Sequence, residues 1–172
     1  MKRILITGGS SYLGQHLVPL ATRQHEVCYT FYENDPLDLP YGEQLDLRDG
    51  PRVMNLTAEF QPDAIIHTAG SNRSSDMSAV ISLGAKYVTE AASKTGARLV
   101  HMSTDVIFDG RNAPYRETDP PSPIHDYGRA KAAAEAIVSQ WNNHVILRTS
   151  LIYGLSIMDR STEWMSETLT EG

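Results

Sequence analysis

The sequence predicts an α/β fold built on a doubly wound parallel sheet. Two observations predict it. Six short, β-rich apolar runs alternate with stretches of helical periodicity, and the first run ends in a glycine turn that opens a helix. With 172 residues, 41% of them apolar and 21% charged, the chain has enough material for one domain with a sizeable core.

Ile4-Leu5-Ile6-Thr7 reads as a strand buried on both faces of a parallel sheet. Leu13, Leu17, Leu20 and Ala21 then recur at helical spacing, with Pro19 inside that helix expected to kink it or remove a hydrogen bond. Val27-Cys28-Tyr29-Thr30-Phe31 is the second strand and closes a unit of βαβ size. Gln44-Leu45-Asp46-Leu47 reads as the third strand, followed by a helix over about 51–60 that Asp49 caps. Ala64-Ile65-Ile66-His67 is the fourth. A long helix over about 76–94 carries Val80, Leu83, Tyr87, Val88 and Ala91 as its apolar stripe and stops at Gly96. Arg98-Leu99-Val100-His101-Met102 is the fifth strand. Four of the nine prolines fall between Gly110 and His125 and mark a long ordered loop. Asp126 then caps an Ala-rich helix running to about Gln140, and Val145-Ile146-Leu147-Arg148 is the sixth strand. Residues 155–172 read as a loop and the beginning of a helix over about 162–169. The expected division is therefore 1–154 as one domain and 155–172 as the truncated start of a substrate-binding region.

Composition narrows the function classes. Lys and Arg number 15 against 21 Asp and Glu, a net charge of −6, which argues against a nucleic-acid partner. Cys28 is the single cysteine, so an internal disulfide or a cysteine zinc cage is excluded and a reducing, cytoplasmic setting is expected. The apolar stretch after Met1-Lys2-Arg3 is too short for a signal-peptide core, and no run reaches membrane-spanning length. The six histidines show no ligand spacing. His67 and His101 are expected in the core, Asp105 and Asp109 as turn formers, Trp141 and Trp164 as packing residues, and no metal site is expected.

Gly8-Gly9-Ser10-Ser11-Tyr12-Leu13-Gly14 lies between the first strand and its helix, where backbone N–H groups and the helix dipole can hold a pyrophosphate. Ser11 takes the middle position of the G-x-x-G-x-x-G pattern and retains a hydroxyl and a backbone donor. Packing alone would also ask for small residues here. Glu33 stands nearest the spacing of an acid that binds the adenosine ribose, or is a solvated loop charge. No Lys or Arg occurs between Glu33 and Asp46, which leans slightly toward NAD(H) over NADP(H), a lean that Arg23 or Arg48 could overturn by folding in.

Tyr127 and Lys131 stand at i and i+4 on one helix face, where an ammonium would lower the phenol pKa toward neutrality. Carbonyl reduction needs a proton for the developing alkoxide and a hydrogen bond to hold it, roles that suit Tyr127 and Thr104 at the end of the fifth strand. A surface Tyr beside a solvated Lys is the plainer reading of the pair taken alone.

Three segments carry a resemblance: Ser103-Thr104-Asp105-Val106-Ile107-Phe108-Asp109-Gly110; Pro114-Tyr115-Arg116-Glu117-Thr118-Asp119 with Tyr127-Gly128-Arg129-Ala130-Lys131; and Leu147-Arg148-Thr149-Ser150-Leu151-Ile152-Tyr153-Gly154. The chain resembles the dTDP-4-dehydrorhamnose reductase-like branch of the extended short-chain dehydrogenase/reductase superfamily. That resemblance implies a Rossmann-type NAD(P)-binding sheet of order 3-2-1-4-5-6 and reduction of a keto group on a nucleotide-activated deoxysugar. It implies catalysis by Thr104, Tyr127 and Lys131, with Lys131 also holding the nicotinamide ribose. Gly8, Ser11, Tyr12, Leu13 and Gly14 would contact the pyrophosphate, Asp46 and Leu47 the adenine, Thr68, Ala69 and Gly70 the middle of the cofactor, and Arg148 and Thr149 its nicotinamide end. Ile81 stands where many superfamily members have an asparagine. A homodimer is common in the superfamily. Two other readings share the scaffold: a sugar-nucleotide epimerase or dehydratase, and a non-catalytic regulatory NAD(P)-binding module.

Overall fold

In the computed structural model, which describes residues 1–70 and 76–154 together with Glu163, Glu167 and Thr168, the alternation becomes one parallel sheet. Its elements are β1 (Arg3–Thr7), α1 (Tyr12–Ala21), β2 (Glu26–Phe31), β3 (Gly42–Gln44), α2 (Gly50–Phe60), β4 (Ala64–His67), α3 (Met77–Thr95), β5 (Arg98–Thr104), α4 (Asp126–Val138) and β6 (His144–Thr149). The strand order is β3-β2-β1-β4-β5-β6, as the sequence predicts. Thr7 lies beside both Thr30 and His67, and His67 beside His101, so the carboxyl ends of the central strands form one rim. Ligands of such sheets bind along that rim, where the strand order reverses between β1 and β4.

Apolar side chains of the central strands are buried on both faces. One face, with Leu5, Ile65 and Leu99, packs against Val53 of α2, Ala85 and Val88 of α3, and Ala134 and Val138 of α4. The other carries Ile6, Val27 and Tyr29 against Val18 of α1 and the loop residues Leu37, Leu39 and Tyr41. The buried face of α3 is Ile81, Gly84, Ala85, Val88, Thr89, Ala91 and Ala92, rotated from the expected stripe because small residues let α2 and α4 pack on either side.

Boundaries differ from the sequence reading at the third strand and at the start of α4, each for a local reason. The third strand is Gly42–Gln44: Leu45 N–H still donates to Phe31 O (2.8 Å), but the Asp46 carboxylate then accepts from Arg48 N–H (2.9 Å) and turns the chain. Leu45 and Leu47, whose apolarity suggested a strand, are buried in that turn. Asp126 is the first residue of α4 and not its cap; His125 holds the cap position, and Asp126 pairs with Arg129 instead. α1 runs through Pro19 to Ala21, where Thr22 Oγ1 donates to Pro19 O (3.0 Å). Asp49 and Gly96 cap α2 and α3 as expected. Trp141 packs on the core and donates to Ala97 O (2.9 Å), and Asp109 accepts from Arg111 N–H in its turn. The helix expected over 162–169, Trp164 and most of 155–172 lie outside the described residues. Among the described residues, no helix is long and apolar enough to cross a membrane.

Candidate functional site

The turn after β1 is shaped by close approaches. Gly8 has φ +79°, and a Cβ there would lie 2.7 Å from the Ala69 backbone. A Cβ on Gly14 would lie 2.2 Å from Gly8 O, so α1 starts directly against the strand end. Tyr12 and Leu13 form the first turn of α1, whose N–H groups point out of the helix start. This bare backbone fits a pyrophosphate. Ser11 contributes differently from expectation. Its Oγ accepts from Gly14 N–H (3.0 Å) as the N-cap and lies 3.2 Å from Thr68 Oγ1, which donates to Thr7 O (2.9 Å) and Gly8 O (3.1 Å). Ser11 N–H donates to Gly8 O (2.9 Å), so both of its donors serve the turn itself.

Beside this turn lies a cleft of about 400 Å³, bounded by the ends of β1, β2 and β4 and by the turn after β3. Of the residues for which the resemblance implies cofactor contacts, Gly8, Ser11, Asp46, Leu47, Ala69 and Gly70 line it. Tyr12, Leu13, Gly14 and Thr68 belong to the adjoining helix start and turn and are not among its lining residues. Glu33 does not reach it: β2 ends at Phe31, Tyr32 lines the cleft, and Glu33 is exposed outside. Tyr32, Asp76 and Val80 line the cleft without any signal in the sequence that marks them, and Arg48, which the sequence offers as a cation able to fold in, lines it too. Its guanidinium pairs with Asp46 (2.6 Å) and with Asp76, and sits 5.8 Å from the Tyr32 ring centroid. The Arg48 side chain holds the Asp46 carboxyl below its ordinary pKa.

Further along the rim, α4 begins against the turn that follows β5. A Cβ on Gly128 would lie 2.3 Å from Val106 O, so the start of α4 packs on the 105–107 turn and Tyr127 comes within electrostatic reach of Asp105. Thr104 Oγ1 accepts from Val106 N–H (3.3 Å) and donates to Asp105 Oδ1 (3.3 Å). Burial, and after it the Asp105 carboxylate, push the Tyr127 phenol above its usual pKa, the reverse of the expected tuning. The reason is where Lys131 reaches. Its Nζ donates to Met102 O and lies 3.5 Å from His101 Nε2, and the side chain is buried against the sheet. Burial brings the Lys131 amine down to about 8, opposed by Glu135. The i, i+4 spacing aligns two Cβ atoms; a four-carbon stem then chose the β5 carbonyl over the phenol.

Beneath Lys131 the His67 and His101 rings pack 5.1 Å apart, with Thr7 Oγ1 2.6 Å from His67 Nδ1. Burial holds both rings neutral, with pKa values lowered to about 3 for His67 and about 2 for His101. They are core residues, and no group of metal-ligating side chains occurs among the described residues. Ile81 is buried in the core beside Gly70.

Arg148 also departs from expectation. Ser103 pairs with Arg148 across β5 and β6, and Thr104 with Thr149, so the two pairs face opposite sides of the sheet. Arg148 turns to α4, where it forms an ion pair with Glu135 (2.8 Å); Ser103 Oγ donates to the same carboxylate (2.5 Å). Its remaining nitrogen donates to Glu117 O (3.0 Å), and the guanidinium covers the Phe108 ring at 5.3 Å. Arg148 therefore fastens α4, β5, β6 and the proline-rich loop together, while Thr149 Oγ1 donates to Ser103 O (3.4 Å).

Comparison with known proteins agrees with this architecture. The family model for the RmlD substrate binding domain matches residues 1–167. Methionine adenosyltransferase 2 subunit beta of Rattus norvegicus is 33% identical over 163 residues, covering 89% of this chain and 48% of that protein. The dTDP-4-dehydrorhamnose reductase of Aggregatibacter actinomycetemcomitans is 32% identical over 163 residues, covering 90% and 53%. Among solved structures, dTDP-4-dehydrorhamnose reductase from Bacillus anthracis in complex with NADP superposes with TM-score 0.82 at 28% identity, over 99% of this chain and 61% of that one. The Bordetella bronchiseptica enzyme WbmG in complex with NAD and UDP gives TM-score 0.77 at 26% identity, over 86% and 52%. The chain spans about half the length of the curated relatives it matches.

Proposed function

The chain belongs to the RmlD substrate binding domain family, and on that premise we propose that it is the cofactor-binding part of a reductase acting on a keto group of a nucleotide-activated deoxysugar. The observation that carries this reading is the bare-backbone turn of Gly8 and Gly14 opening on the cleft at the strand ends, with Thr104 and Tyr127 further along the same rim. A reduced nicotinamide dinucleotide bound here supplies the hydride. Gly8, Tyr12, Leu13 and Gly14 hold the pyrophosphate, and Asp46, Leu47, Ala69 and Gly70 the adenosine side. Tyr127 Oη gives its proton to the carbonyl oxygen of the substrate, and Thr104 Oγ1 orients that oxygen. Lys131 leaves Met102 O for the ribose hydroxyls, bringing a cation to Tyr127 and lowering a phenol that burial otherwise holds high.

One observation favours a second reading, a regulatory nicotinamide-binding module: Lys131 is retracted from Tyr127. Incubation of the protein with reduced cofactor and a nucleotide 4-keto deoxysugar separates the two. Stoichiometric cofactor oxidation is expected, lost in Tyr127→Phe with cofactor affinity unchanged. Equal turnover by that variant contradicts the reductase reading. Substrate conversion without net oxidation points to an epimerase or dehydratase, and cofactor binding without any conversion to the regulatory module.

A further inference from the structure

The Arg48 clasp at the adenosine end of the cleft bears on which nicotinamide cofactor the chain takes, an inference that rests on the reading above that a dinucleotide binds there. Arg48 is the one cation among the described residues lining the cleft, and Asp46 and Asp76 are its two anions. Nε and one terminal nitrogen of Arg48 grip the Asp46 carboxylate (3.0 and 2.6 Å). That terminal nitrogen also donates to Tyr32 Oη (3.3 Å), and the other pairs with Asp76. Four of its five N–H groups are thereby engaged.

Asp76 shows what this arrangement displaces. It occupies the N-cap position of the 19-residue helix α3, where an aspartate ordinarily accepts from the first turn of its own helix, and it makes no such bond. Its carboxylate is turned across the cleft to Arg48 instead. Arginine is the side chain best suited to grip a phosphate, and this one is held between two carboxylates. The acid that would select a ribose diol by position, Glu33, lies outside the cleft, so discrimination at the ribose falls to the clasp.

We propose that Asp76 is a cofactor-specificity residue: by pinning Arg48 against Asp46 it withholds the guanidinium from a 2′-phosphate, so the chain takes NAD(H) and rejects NADP(H). The clasp carries a net charge of −1, which repels a phosphate of charge about −2 and leaves carboxylate oxygens to accept from ribose hydroxyls.

Calorimetric titration of the folded chain with NADH and NADPH tests this without any turnover. NADH is expected to bind at least about tenfold more tightly. Asp76→Asn keeps a cap-competent side chain at the helix start, removes one negative charge from the clasp and frees the terminal nitrogen of Arg48 that Asp76 holds, and is expected to raise NADPH affinity about tenfold while moving NADH less than roughly threefold. Adding Arg48→Ala should abolish that gain. Wild-type preference for NADPH, or an Asp76→Asn variant that leaves the ratio of affinities unmoved, overturns the proposal alone. Binding of neither cofactor to the folded chain overturns it together with the dinucleotide reading on which it rests.

Discussion

At the adenosine end of the rim the walls are main chain and short side chains already locked to one another. Gly8 packs on Ala69, Ser11 caps α1 and meets Thr68, and Asp46 grips Arg48. At the other end Thr104 closes β5 while Tyr127 and Lys131 stand on the first turns of α4, and the polar atoms of Thr104 and Lys131 are engaged with their own surroundings. Thr104 serves its own turn, and Lys131 lies against Met102 O and His101. The glycine turn is thus fixed by the chain's own sterics, whereas the proposed catalysis at the other end requires Lys131 to leave Met102 O. What holds the second end together is the buried Ser103–Glu135–Arg148 network.

Four experiments break or sharpen that contrast. The largest effect is expected from Glu135→Ala, which strands Arg148 half-buried without its partner and should destabilise the chain by about 3–5 kcal/mol in urea unfolding. A loss under about 1 kcal/mol would show that the catalytic end does not depend on this pair.

Next is acid. His67 and His101 have folded pKa values of about 3 and about 2, below the ordinary 6.5, so between those limits the unfolded chain binds more protons than the folded one. Their contribution is complete above pH 6.5 and is lost as pH falls. Stability should drop by about 2 kcal/mol by pH 5.5, and His101→Gln should roughly halve that slope. A flat profile from pH 7 to 5 would place the rings in contact with water.

Ser11→Ala should cost about 1 kcal/mol, the usual value of an N-cap, while leaving cofactor affinity within roughly threefold, since the Ser11 donors face the turn and not the ligand. A much larger loss of affinity would return Ser11 to the role of a phosphate donor. The smallest effect is expected from Asp76→Ala, whose ion pair is solvent-exposed: stability should change by less than about 1 kcal/mol in the same urea series, in contrast to Glu135→Ala.

The sheet is readable because parallel strands buried on both faces announce themselves as apolar runs, and its order follows from the resemblance. The third strand was misplaced by the same logic, since Leu45 and Leu47 are buried by a turn and not by a ladder. Ion pairs were not readable. Glu135 on an Ala-rich helix looks solvated, and only the register that puts Ser103 beside Arg148 reveals its burial. Arg48 is visible as a cation able to fold in, but Asp76, 28 positions away in a different loop, is not. Lys131 shows the limit of spacing arguments: i, i+4 fixes where the stem begins, and the Met102 carbonyl decides where it ends.

The contrast between a preformed adenosine end and an unfinished catalytic end is tested most directly by titrating the folded chain with ADP-ribose beside NADH. If the adenosine end carries the binding, ADP-ribose should bind within roughly tenfold of NADH, about 1.4 kcal/mol. Saturable NADH binding with no ADP-ribose binding would contradict the account, because the nicotinamide end would then be supplying the affinity.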